Sequence, residues 1–79
     1  MPGMGSRVTE VKFHNKNVDT TTELHVPWEG RFRFKYADLD DDGNIVAITC
    51  WGGPSGHGSW RTFHPDKIKT VKTTKGAVR

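Results

Sequence analysis

The chain has 79 residues, 33% of them hydrophobic, with three Trp, four Phe, one Tyr and one Cys. That composition supports one domain, near the lower end of what a single core can hold together. The lone Cys50 excludes an intrachain disulfide, and no apolar run approaches the ~20 residues of a membrane-spanning helix. The net charge of +3 is unevenly placed: residues 1–59 hold six Lys or Arg against eight acids, and residues 60–79 hold six against one. Such a dipolar surface suits phosphate or an acidic protein partner.

Met1 to Ser6 has no apolar stretch of the signal-peptide kind and is expected to be disordered. With a single cysteine, this points to a cytoplasmic protein. The domain is expected to span residues 7–73, with 74–79 a flexible basic tail. Arg7 to His14 alternates as a strand, and Asn15-Lys16-Asn17 is turn chemistry. Thr20 to Val26 reads as a short strand or an extended loop. At the edge of an open sheet it would be free to pair a second chain. Pro27 ends it, and Trp28-Glu29-Gly30 makes a corner.

Arg31 to Tyr36 is the cleanest strand, with Phe32, Phe34 and Tyr36 on one face and Arg31, Arg33 and Lys35 on the other. Asp38 to Gly43 is a turn whose Asp42-Gly43 suits a hairpin. Asn44 to Trp51 follows, nearly apolar on both sides as in a central strand. Gly52 to Gly58 is a glycine-rich loop. Then comes a strand in which Trp60, Thr62 and His64 oppose Arg61 and Phe63. Pro65 must break the ladder, because it lacks an N–H and disfavours helix at His64. After this one-turn corner, Lys67, Lys69 and Val71 are expected to oppose Ile68, Thr70 and Lys72.

Strand, one-turn corner, strand is how small barrels finish. The run Trp60-Arg61-Thr62-Phe63-His64-Pro65-Asp66-Lys67-Ile68-Lys69-Thr70-Val71 resembles the end of SH3-like (Sm-like) barrels. More narrowly it is similar to the core of bacterial WYL-type domains, at Arg61, Phe63, Asp66, Lys67, Ile68 and Val71. The Trp-Tyr-Leu tripeptide of that family is absent, with Ile48-Thr49-Cys50-Trp51 near its place, and so is the winged helix that usually accompanies it. The expected fold is therefore all-β, a five- or six-stranded SH3-like partly open barrel.

Several constellations bear on chemistry. Asp38-Leu39-Asp40-Asp41-Asp42-Gly43 matches the first half of a calcium loop, but position twelve is Thr49 rather than a bidentate Glu. Its flanks read as strands, so an acidic hairpin tip is the favoured reading. Cys50, His57 and His64 lack the close ligand pairs of a zinc site. Nothing orients His57 as a base for Cys50, which reads as a small buried apolar residue. No phosphate-cradling glycine motif occurs. No cofactor or metal is expected, and the chain reads as a binding module rather than an enzyme.

The remaining pattern is aromatic and basic together. Small barrels bind single-stranded nucleic acid by stacking bases on aromatics within a positive groove. Arg31, Arg33, Lys35, Arg61, Lys67, Lys69 and Lys72 are the expected phosphate contacts of a nucleic-acid-associated, transcription-regulatory module. Trp28, Trp51, Trp60 and His57 are the expected stacking or anchoring residues. The rival reading uses the same tryptophans as hot spots for a protein partner. In that reading the chain is an accessory or phage-encoded protein docking on a host regulator. Oligomeric state is not encoded in any motif.

Overall fold

The computed structural model describes residues 5–53 and 58–72. The expected tail at 74–79, His57 and most of the expected disordered start lie outside the described residues. Ser6 does not belong to that start, because it opens the first strand.

The described residues form eight strands: β1 (Ser6–Val8), β2 (Val11–Phe13), β3 (Lys16–Val18), β4 (Glu23–Val26), β5 (Gly30–Leu39), β6 (Ile45–Gly52), β7 (Ser59–Phe63) and β8 (Thr70–Lys72). A 3-10 turn, Pro65–Lys67, joins β7 to β8. The main sheet is antiparallel in the order β7-β6-β5-β4-β8, and β1 also pairs with β5. This makes a small, partly open all-β barrel of six strands, with β2 and β3 as a separate hairpin.

The long strand β5 organises the sheet. One edge pairs with β6 along nearly its whole length. The other edge is shared, with β4 on Gly30–Arg33 and β1 on Ala37–Leu39. Because β1 and β4 occupy the same edge, the chain must leave the sheet between them. Arg7 to His14 is therefore two strands rather than one, and β2 turns away to pair β3. The turn falls one residue earlier than the composition suggested. His14 and Asn15 take φ values of 53° and 62°, and Lys16 already lies in β3 opposite Phe13. The Lys16 ammonium donates to the Val71 carbonyl at 2.9 Å, which ties this hairpin to β8.

The core lies inside the curl: Val18, Leu24, Val26, Phe32, Phe34, Ala37, Ile48, Cys50, Phe63, Ile68 and Val71 are all buried. Phe32 and Phe63 meet edge to face at 5.2 Å between centroids. Strict alternation along β5 fails at Lys35, where a bulge shifts the register between Phe34 and Tyr36. Ala37 therefore takes the inward place and Tyr36 turns outward, half-buried beneath the Arg7 guanidinium at 4.2 Å.

Two further expectations are corrected. Val71 and Ile68 are both buried, although alternation put them on opposite faces. Ile68 caps the 3-10 turn, where its N–H donates to the Pro65 carbonyl, and lies before β8 begins. The segment around Thr20 is not a free edge either. Thr21 and Thr22 turn on the Asp19 carboxylate and backbone, and β4 is an interior strand between β5 and β8.

Candidate nucleic-acid interface

Period-2 alternation gives β4 to β8 an outer face as well as an inner one. Its residues fall in register across five strands. Lys72 lies opposite Glu23, Glu23 opposite Arg33, Arg33 opposite Trp51, and Trp51 opposite Trp60. A row crossing five strands spans about 19 Å at the usual ~4.8 Å spacing. Beside it a shorter row runs from Thr70 to His25 to Arg31. Arg31, Arg33, Lys72, Trp51 and Trp60 are all exposed.

The two tryptophans are held in place. Their rings meet edge to face at 5.7 Å and 73°, yet Trp51 stays 41% and Trp60 58% exposed. A Cβ on Gly58 would fall 2.4–2.6 Å from Cζ2, Cε2 and Nε1 of the Trp51 indole. A side chain at that position would have to displace the indole. At the start of the same loop, a Cβ on Gly52 would fall 2.5 Å from the Arg31 carbonyl oxygen, at a φ of +150°. Gly53 donates to that same oxygen at 3.0 Å. Arg31 is thereby locked to the strand that carries Trp51.

Trp28 stands apart. Glu29 N–H donates to the Val26 carbonyl at 3.0 Å across Pro27-Trp28, and Trp28 has φ 72°. Those are the features of a type II turn, whose third position normally takes Gly or Asn. Trp28 is fully exposed there. The Glu29 carboxylate meets the Arg61 guanidinium at 3.0 Å, which pins this turn to the strand carrying Trp60. All three tryptophans are thus at the end of the barrel formed by the β4–β5 turn, the end of β6 and the start of β7.

The other expected phosphate contacts scatter. Arg61 pairs with Cys50 on the opposite face from Trp60, beside the Phe63 ring at 5.0 Å, with its charge engaged by Glu29. Lys35 sits half-buried at the bulge. Lys67 and Lys69 are exposed on the corner, outside β8, where the Lys69 N–H donates to the His25 carbonyl at 2.9 Å. Sequence reasoning missed Glu23, His25 and Thr70. Reading Glu23-Leu24-His25-Val26 as an alternating strand would have placed the first two on the outer face.

The acidic turn is occupied with its own backbone. Asp40 carboxylate oxygens accept from the backbone N–H groups of Asp42 and Asn44, both at 2.9 Å, and from the Asn44 side chain. These bonds, the Asn44 N–H foremost, hold the Asp40 carboxyl below the usual range. Asp38 is drawn to Arg7 at 2.8 Å. The loop is built as a hairpin tip, and no cluster of metal-ligating side chains forms among the described residues. The Cys50 thiol is buried and donates to the Arg61 carbonyl at 3.6 Å; burial pushes it up to about 11, partly offset by the Arg61 charge. A thiol held protonated at neutral pH is a poor nucleophile.

Over residues 4–79 the chain matches a family described as a domain of unknown function, DUF7246. No curated protein and no solved structure matches it.

Proposed function

The chain belongs to the DUF7246 family, and we propose that it is a non-catalytic binding module whose outer sheet face takes single-stranded nucleic acid, in a regulatory role such as transcription control. The observation that carries this reading is the in-register row Trp60-Trp51-Arg33, with Arg31 beside it and Lys72 at the far end. Bases stack on exposed indoles whatever their sequence, and adjacent guanidinium groups neutralise the phosphates between them. A held ring loses less freedom on binding than a loose one. Of the expected phosphate contacts, Arg31, Arg33 and Lys72 belong to this face. The likeness to SH3-like barrels is part of the proposal, supported by the strand order and the 3-10 turn before the last strand. So is the narrower likeness to WYL-type domains, which rests on Phe63, Ile68 and Val71 in the core.

The test is fluorescence anisotropy of labelled single- and double-stranded oligonucleotides over a salt series, with tryptophan quenching read in parallel. Three phosphate contacts predict a log–log salt slope of about −2 for a single strand. Absence of binding at low salt would overturn the reading.

A second reading is favoured by Trp28 alone. A bulky residue at positive φ is uncommon, and strain of this kind is kept where it serves a contact. Trp28 would then anchor a protein partner, such as the host regulator of an accessory or phage-encoded protein. Binding through it would respond weakly to salt. Retained binding of a protein partner in high salt, lost in Trp28→Ala, would support it over the first.

A further inference from the structure

On the outer face, beside the tryptophan row, Glu23, His25, Arg31, Thr70 and Lys72 line a shallow depression of about 170 Å³. It contains an acid within an otherwise basic surface. A depression shaped for phosphate alone would be weakened by a carboxylate at its wall. Among the described residues, the side chains of Glu23, Arg31 and Lys72 make no hydrogen bond or ion pair within the protein, although Glu23 lies directly opposite Lys72 and Arg33. An acceptor and donors are therefore left open side by side.

Resting on the nucleic-acid reading above, we propose that this depression is a base subsite selective for guanine. A carboxylate offers only acceptors. Of the standard bases, only guanine presents two adjacent donors, N1–H and the N2 amine, on its Watson–Crick edge. Adenine and cytosine set an acceptor beside their amine donor, and uracil or thymine flanks its single N–H with carbonyls. Each of those would bring a lone pair against Glu23. Guanine also carries the O6 and N7 acceptors that arginine or lysine donates to. Glu23 thus takes the donor edge, while one of Arg31 and Lys72 turns from the phosphates to donate to O6 or N7 and the other stays on the backbone. A strand stacked on Trp51 and Trp60 would pass Arg33 and deliver its next base to Glu23, which follows Arg33 in the row.

The experiment uses the full chain and thymidine decamers carrying one central guanine, adenine, cytosine or hypoxanthine. Anisotropy gives the affinity of each at fixed low salt. The guanine decamer is expected to bind about tenfold or more tighter than the adenine and cytosine ones. Hypoxanthine, which lacks the N2 amine, should fall between. Glu23→Gln should bring the four affinities together, on a background raised alike for all four because a negative charge facing the phosphates is lost. A merely structural Glu23, screening Arg33 from Lys72, would alter thermal stability and leave the base ratios alone. Equal affinities for all four decamers would overturn the subsite and leave the stacking face standing. A guanine preference that survives Glu23→Gln would also overturn it. Failure of every decamer to bind would remove the subsite together with the reading it rests on.

Discussion

The two faces of β5, β6 and β7 come from alternate residues of the same strands, yet they are finished differently. On the inner face Phe32, Phe34, Cys50 and Phe63 are closed off from water. Even the Cys50 thiol has an acceptor there. On the outer face Arg31, Arg33, Trp51 and Trp60 are equally well positioned but left uncovered. Burial explains these four inner residues. It does not explain why two indoles remain in water beside two guanidinium groups. The difference separates the residues that hold the barrel together from those that the proposed function uses.

Substitutions on the two faces should therefore separate cleanly. Phe34→Ala removes the centre of the inner face and should destabilise the fold by about 3–5 kcal/mol, read by chemical denaturation. Unfolding of so small a domain would be unsurprising, since total stabilities are of the order of 5–15 kcal/mol. Gly52→Ala places a methyl against the Arg31 carbonyl at a φ of +150°. It should cost about 1–3 kcal/mol and disturb both faces, because it moves the link between Arg31 and Trp51. Trp51→Ala or Trp60→Ala should weaken single-strand binding by about 1–3 kcal/mol per lost stack while leaving the denaturation midpoint nearly unchanged. Loss of folding in both of those variants would break the comparison, since it would make the outer tryptophans structural.

The pH dependence sharpens the inner side. Cys50 ionises near 9.0 when unperturbed and is raised to about 11 in the fold. The folded state thus prefers the protonated thiol. Its contribution is complete below about pH 9 and is lost as pH rises towards about 11. Replacing Cys50 with Ala should flatten stability across that window relative to the parent, measured by urea titration at several pH values. The smallest effect expected is at Trp28. Trp28→Gly relieves the positive φ but frees the unfolded chain, so stability should stay level or rise by at most about 1 kcal/mol in thermal melts.

Much of the barrel was legible in the chain. Arg31 to Tyr36 and Trp60 to Phe63 announce strands because local alternation is strong, and Pro65 marks the corner because its chemistry is local. The bulge at Lys35 was not legible, because nothing in Phe34-Lys35-Tyr36-Ala37 distinguishes a skipped register from a regular one. The burial of Ala37 follows from that bulge. The position of β4 was hidden for a different reason. Whether Thr20 to Val26 is an edge depends on β8 returning to pair it from nearly fifty residues away. The outer row was hidden in the same way: Lys72, Glu23 and Arg33 meet only through long-range register. Arg61 was grouped with the other cations by composition, whereas its strand turns it to the opposite face, against Glu29.

The most direct test of the division between faces is an amide and indole NMR titration of the chain with a single-stranded thymidine decamer. The three tryptophans give three indole N–H signals that report separately. If the outer face binds the strand, the Trp51 and Trp60 indoles and the backbone around Arg31, Arg33 and Lys72 will shift, with Ile48, Cys50 and Phe34 unmoved. Shifts centred instead on the acidic Asp40–Asn44 turn and β1, or no shifts at low salt, would contradict it.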